Sequence, residues 1–294
     1  MRAHDSGRPS VVGGGAPRAA HNYDEASLPD GVPVSLSTTL AGAPPHFVDI
    51  TPDNTIPQID PSLPWWPVVA VIVMIAMVNV AAHKALKDLY LFWAIGGSVV
   101  VLTLALLDGT TWRDLGLAPS TWVAGLVWGI GSILLIYAIY EIGSRMPKIK
   151  NLFGDQSIAG MPKWRVYFEA LVRLPFGTVL FEEIAFRAAL WAMLCRRMDW
   201  VSASLITALL FGLWHILGSL DLHERNPGMS ASKRPRVAQA LAVTGAVVNT
   251  AIGGLVFTGL RVVSGSLIAP MCFHWATNGW GYLFARRLQV SGDS

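Results

Sequence analysis

The chain has 294 residues, of which 53% are hydrophobic and only 14% are charged, a composition that excludes an ordinary soluble domain and is typical of a membrane protein. The formal net charge of +3 is small, and the basic residues lie between apolar runs, so nucleic-acid binding is not expected. The two cysteines, Cys195 and Cys272, form no CxxC or disulfide-type pattern and indicate no redox compartment.

The first 62 residues are rich in Pro, Gly, Ala and Ser and show no sustained helical or strand periodicity. We interpret residues 1–62 as a disordered tail. From Trp65 the composition changes abruptly to long apolar segments, so residues 63–288 are expected to form one membrane-embedded domain.

The apolar segments after the tail are each about as long as a helix that crosses a bilayer. They predict an all-α, polytopic transmembrane helical bundle of about seven spans, in which the fourth begins as an interfacial helix and is broken or kinked by Pro175. Gly125 and Gly129 indicate a small-xxx-small packing surface on the third span. The spans are expected at roughly 65–83, 89–107, 121–141, 167–195, 201–220, 237–260 and 265–285.

Lys and Arg are distributed unevenly between the alternate loops of this arrangement. One set of loops carries 13 of them and the other carries 4, and basic residues are more frequent in cytoplasmic loops. We therefore expect a multi-pass protein of the cell membrane with its N-terminus outside and its C-terminus in the cytoplasm.

Ionisable and polar side chains occur inside three of the later spans. Such groups cost several kcal/mol in a membrane unless they are paired or face a water-filled cavity, so each indicates a functional site. The three sets are Glu182, Glu183 and Arg187; Phe211 and His215 of "FGLWH"; and His274 and Asn278 of "HWATN".

The two glutamates are expected to have different partners. Glu183 and Arg187 are four residues apart and lie on one helix face, so they can form an ion pair. Glu182 points about 100° away and has no partner in its own helix. Its partners are therefore expected on other helices, with His215 and His274 as the candidates.

A carboxylate, two imidazoles and an amide supply the groups needed for hydrolysis by an activated water. Glu182 and His215 could hold and deprotonate the water, while His274 and Asn278 could donate hydrogen bonds to the oxyanion. Zinc is the alternative, with Glu182, His215 and His274 as its ligands, although no HExxH motif is present. The cofactor expectation is therefore none or zinc.

The motifs resemble those of the CPBP family, the CAAX-prenyl endopeptidases and bacteriocin-processing enzymes also called the Abi family. "EEIAFR" fits EExxxR, "FGLWH" fits FxxxH and "HWATN" fits HxxxN, in the family's order, over about residues 110–285. One departure is Ala188, where many members have Gly. The resemblance implies an intramembrane endopeptidase, with its catalytic residues at Glu182, His215, His274 and Asn278 and its supporting pair at Glu183 and Arg187.

Structural interpretations of the same residues remain open. Glu183 and Arg187 could serve only as an ion pair that locks helices together, Asn278 could bond a neighbouring helix, and Phe211 is expected to pack beside His215. His83 is expected to lie at the membrane interface, and His223, Glu224 and Arg225 to be solvated in a loop.

Three functions are compatible with these residues. The first is an endopeptidase that acts on a membrane-associated protein or peptide, either lipidated or not, and contacts membrane lipids. The second is a non-catalytic immunity or scaffold protein of the same fold. The third is a proton-coupled transporter, since buried Glu and His also form proton relays, but no broken helices recur in two halves of the sequence.

Overall fold

The computed structural model describes residues 56–85, 89–147, 158, 160–220 and 235–292, and within them the regular structure is entirely helical. The all-α bundle expected from the sequence is confirmed. Residues 1–55 of the expected tail and the loop residues His223, Glu224 and Arg225 lie outside the described residues. The long helical runs are α1 (Trp66–Val80), α2 (Tyr90–Leu107), α3 (Trp122–Arg145), α4 (163–195), α5 (Trp200–Trp214), α6 (Pro235–Ser264) and α7 (Ile268–Gly292).

These runs begin and end within seven residues of the expected spans, but the count of about seven spans is not confirmed. In the described part of the chain, four helices are long and apolar enough to cross a membrane: Trp66–His83, Tyr90–Leu107, Pro119–Arg145 and Arg236–Ser264. The other three differ for separate reasons. Helix α4 carries several charges, α5 has only 15 residues, and α7 is interrupted by polar residues such as His274 and Asn278.

Helix α4 forms the centre of the bundle. Every residue from Phe181 to Cys195 is buried, because α1, α2, α5 and α6 pack around this half of the helix. Two stretches of α4, Glu169–Val179 and Glu183–Leu190, are wound as π-helix, with wider turns than an α-helix. The first contains Pro175, which has no N–H to donate; of the break or kink expected there, the break does not occur, because the helix continues through Pro175.

Helices α3 and α7 pack closely along the small residues expected on α3. A Cβ atom added at Gly129 would lie 2.9 Å from Cys272 Sγ, and one added at Gly125 would lie 2.7 Å from Ser266 Cβ. Any larger side chain at these two positions would push the helices apart. Since α7 carries His274 and Asn278, this packing sets the position of one side of the site.

Buried ion pairs connect the helices at one end of the bundle. The side chain of Asp108, after α2, is only 2% exposed and pairs with Arg196 and with Arg197, whose Nη2 lies 2.5 Å from Asp108 Oδ1. Arg197 also donates to the carbonyl oxygen of Pro64, before α1, at 2.6 Å. The last residues of the expected tail also contact this end of the bundle, since the Asp60 N–H donates to the Arg196 carbonyl oxygen at 2.7 Å. The packed part of the chain therefore includes residues before 63.

Candidate active site

The three charged residues that follow Phe181 on α4 are enclosed by the bundle. Glu182 is 4% exposed, and Glu183 and Arg187 are fully buried. Burial of this kind costs several kcal/mol for each charge unless partners compensate it. The contacts of these three side chains therefore decide what the site can do.

Glu182 has its contacts on two other helices, as expected from the sequence. Its Oε2 lies 4.0 Å from His215 Nε2, just after α5, and 3.8 Å from His274 Nε2 on α7. Its other oxygen, Oε1, accepts a hydrogen bond of 3.0 Å from the indole N–H of Trp214. Oε2 is buried and has no hydrogen-bond partner in the described part of the chain. One oxygen of Glu182 is thus fixed, and the other faces both imidazoles.

Glu183 is shared by two cationic or potentially cationic groups. Its Oε1 lies 3.3 Å from Arg187 Nη1, which is the expected pair, and 2.8 Å from His274 Nδ1. The contact with His274 was not expected from the sequence. It joins α4 to α7 and makes Glu183 the group that orients the His274 ring.

Besides its contact with Glu183, the Arg187 guanidinium packs against aromatic rings. Its Cζ lies 3.8 Å from the centroid of the Phe211 ring and 4.7 Å from that of Phe257. A cation over an aromatic face is stabilised by the negative charge of that face, and more strongly where water is excluded. Phe211 also lies edge-on to Phe186, at 5.1 Å between centroids, so it packs as expected and covers the charge as well.

Hydrogen bonds define which ring nitrogens of the two histidines face Glu182. His215 Nδ1 lies 2.8 Å from the Phe211 carbonyl oxygen, and His274 Nδ1 lies 2.8 Å from the Glu183 carboxylate. Carbonyl and carboxylate oxygens only accept hydrogen bonds, so each Nδ1 carries the proton and donates it. Both Nε2 atoms therefore face Glu182 Oε2.

Asn278 lies apart from this cluster. Its side chain is exposed, and among the described residues it makes no hydrogen bond to Glu182, His215 or His274. It is one helical turn after His274 and one turn before Tyr282, which lines the cavity described next. The structure does not bring Asn278 into the cluster, and Asn278 is not among the residues that line the cavity.

A polar cavity of about 440 Å³ adjoins the cluster and reaches one end of the bundle. Of the two histidines, His215 has 29% of its side chain exposed and lines this cavity, whereas His274 has only 5% exposed. The lining includes His83, Tyr90, Arg173, Glu182, Trp214 and His215. A substrate in the cavity would therefore reach His215 more readily than His274.

Two residues of this region were missed by sequence reasoning. Trp214 is buried and bonded to Glu182, although tryptophans in such a sequence are expected near the headgroups. The available signal was its position beside His215, together with the need of a buried indole N–H for a partner. His83, expected at the interface, lines the cavity and directs Nδ1 to the Asn79 carbonyl oxygen at 2.9 Å.

The arrangement fits zinc only in part. Each imidazole donates its Nδ1–H to an oxygen, as zinc-bound histidines do. The Nε2-to-Oε2 separations of 3.8 and 4.0 Å, however, exceed the roughly 3.3 to 3.5 Å between neighbouring ligands of a tetrahedral zinc ion. Among the described residues no group of three or more His, Cys, Asp or Glu side chains is arranged to hold a metal ion. As they stand, these side chains do not form a zinc site.

The fold and the site together define an all-helical membrane protein with a buried glutamate and histidine cluster beside a polar cavity. Residues 164–280 match the model of the family described as type II CAAX prenyl endopeptidase, Rce1-like. The match covers α5 and α6, nearly all of α4 and about the first half of α7. It confirms the resemblance to the CPBP family of CAAX-type proteases indicated by the three motifs, and it supports a peptidase. No curated protein and no solved structure matches the chain significantly.

Proposed function

We propose that the protein is an intramembrane endopeptidase that hydrolyses a peptide bond through a water activated by Glu182 and His215. The observation that supports this most is the position of Glu182 Oε2, which is buried, unpartnered among the described residues and within 4.0 Å of two imidazole nitrogens. A water between Oε2 and His215 Nε2 could donate one hydrogen bond to each. Glu182 would then take the proton as the water oxygen attacks the substrate carbonyl carbon.

The oxyanion formed by this attack needs hydrogen-bond donors. We assign this role to His274 Nε2 and to the Asn278 amide, which lies one turn further along the same helix face. His274 can donate from Nε2 only when both ring nitrogens are protonated. In that state Glu182, Glu183, Arg187 and His274 carry equal numbers of positive and negative charges, which suits their burial.

Collapse of the tetrahedral intermediate requires a proton on the leaving amine. The proton taken by Glu182 can be returned to that nitrogen, directly or through His215, which is the more exposed imidazole. The carbon–nitrogen bond then breaks, leaving a new carboxylate and a new amine. The mechanism uses no nucleophile from the chain and no metal.

The proposed substrate class comes from the matched family, which is described as type II CAAX prenyl endopeptidase. We propose a lipidated protein or peptide as the substrate, cleaved close to the membrane surface. The cavity supports this assignment, since it lies where α1 ends and α2 begins, at the end of the bundle flanked by the more basic loops. By the charge rule this end is cytoplasmic.

The test uses purified protein in lipid nanodiscs and a farnesylated peptide that ends in a Cys-aliphatic-aliphatic-X sequence. Mass spectrometry should show one product that lacks the residues after the prenylated cysteine. The matched control is the same peptide without the farnesyl group, which should be cleaved more slowly. Equal rates for the two peptides would contradict the lipidated substrate class, and cleavage of neither would contradict the endopeptidase itself.

A further inference from the structure

Trp214 is held from two sides, and one of its contacts reaches the carboxylate that we assign as the base. Its indole N–H donates to Glu182 Oε1 at 3.0 Å, while its backbone carbonyl accepts a hydrogen bond of 2.9 Å from Asn79 Nδ2 on α1. The ring lies 5.5 Å from the Phe181 ring and 6.0 Å from that of Phe186, between centroids. These contacts leave the indole little freedom to turn.

This environment differs from that of the interfacial tryptophans of the same chain. Trp66, at the start of α1, is 61% exposed, whereas Trp214 is 7% exposed and its donor points into the bundle. Tryptophans in a membrane-interface belt keep their N–H in the headgroup layer. Trp214 therefore has a different role from the one that its place near the end of α5 would indicate.

The carboxylate of Glu182 needs an orienting partner because the last torsion of a glutamate side chain is soft and the two oxygens are equivalent when neither is bonded. A donor on Oε1 fixes that torsion. With Oε1 held by Trp214, Oε2 faces His215 Nε2 and His274 Nε2 at 4.0 and 3.8 Å. Without the donor, the carboxylate could rotate and these two separations would no longer be set.

We propose that Trp214 is a positioning residue of the peptidase site, which fixes Oε1 of Glu182 so that Oε2 is presented to the two histidines. Asn79 in turn sets the place of Trp214. This inference rests on the proposed function, in which Glu182 is the base. It also extends the site to α1, which lies outside the residues matched by the family model.

The kinetic test compares Trp214→Phe with Trp191→Phe. Trp191 is a matched control because it is fully buried and its indole N–H donates to Ser204 Oγ at 3.0 Å, without contact with Glu182. On the farnesylated peptide, loss of an orienting hydrogen bond should lower kcat of W214F about 10- to 100-fold with little change in KM. W191F should retain its kcat. Asn79→Leu should also lower kcat. It provides a second test of the proposal if W214F does not fold.

A spectroscopic test needs no substrate. In protein labelled with ¹⁵N-tryptophan, the indole resonance that W214F removes should shift in Glu182→Gln, because a hydrogen bond to an ionised acceptor is the stronger one. The resonance that W191F removes should not move.

Equal kcat values for W214F, W191F and wild type would overturn the proposal. A Trp214 indole resonance that does not shift in Glu182→Gln would also overturn it. Either result would leave the proposed function intact. An N79L protein as active as wild type would overturn the assignment of Asn79. A wild-type protein that cleaves no peptide, with the Trp214 resonance still dependent on Glu182, would refute the proposed function and the positioning role with it.

Discussion

Glu183 and His274, which are 91 positions apart in the chain, are joined by a contact of 2.8 Å between Oε1 and Nδ1. The same Glu183 oxygen lies 3.3 Å from Arg187 Nη1. Glu183 thus contacts two groups on different helices, whereas Glu182 has one bonded oxygen and one without a hydrogen-bond partner among the described residues. Adjacent glutamates of one motif therefore differ in chemistry because their neighbours in the bundle differ.

The Glu183 and Arg187 pair should contribute to stability in a way that depends on both partners. Glu183→Gln leaves a buried guanidinium without its counter-charge, which costs about 3 kcal/mol, or roughly 6 to 12 °C in Tm for a domain of this size. Replacing both residues, in Glu183→Gln with Arg187→Met, removes the unpaired charge. The double variant should therefore lose less stability than the sum of the two single variants.

Thermal unfolding of the four proteins in one detergent measures this coupling. Activity should fall in every variant that lacks Glu183, because His274 loses its orienting partner. Additive losses of Tm would show that the pair is not coupled and that the expected ion pair does not form.

Asp108 should matter for stability but not for the reaction. Its side chain is buried after the end of α2 and pairs with Arg197 at 2.5 Å, whereas the cavity lies near the start of α2. Asp108→Asn removes the charge and should lower the free energy of unfolding by about 3 kcal/mol, with a fall in Tm similar to that of Glu183→Gln. At a temperature where both proteins are folded, kcat/KM should stay within about twofold of wild type, in contrast to Glu183→Gln. A tenfold loss at that temperature would show that this end of the bundle acts on the site.

Activity should not depend on zinc if a water is activated directly by Glu182. We expect wild-type cleavage to persist after dialysis against a strong chelator, and added zinc not to increase it. Metal analysis of the purified active protein provides the control. Loss of activity on chelation, with recovery on stoichiometric zinc, would favour the zinc alternative with Glu182, His215 and His274 as ligands and would require these side chains to approach one another.

The orientation in the membrane can be tested by cysteine labelling of intact cells. In a variant with Cys195 and Cys272 replaced by Ala, a new cysteine at Asp199 should react with an impermeant maleimide, because the loop after α4 is expected outside. A new cysteine at Ser294 should react only after the cells are permeabilised. The reverse pattern would place the cavity and the C-terminus outside.

The sequence predicts the helices well because long apolar runs are local signals. It also predicts the Glu183 and Arg187 pair, since four residues along a helix define a shared face. Three contacts of the site join different helices: Glu183 with His274, Trp214 with Glu182, and Asn79 with Trp214. The sequence does not predict them, because the periodicity of one segment does not indicate which helices are its neighbours. The sequence predicts a break or a kink at Pro175, and the structure shows a helix that continues through this residue in a π-helical stretch.

Cleavage of the farnesylated peptide by wild type and by Glu182→Gln tests the central claim most directly. Glutamine keeps the size of the side chain and can still accept from Trp214, but it cannot take a proton from water. We predict a stable, folded variant with cleavage reduced at least 100-fold, the lower range of a general-base contribution. A Glu182→Gln protein that cleaves the peptide at the wild-type rate would contradict the account.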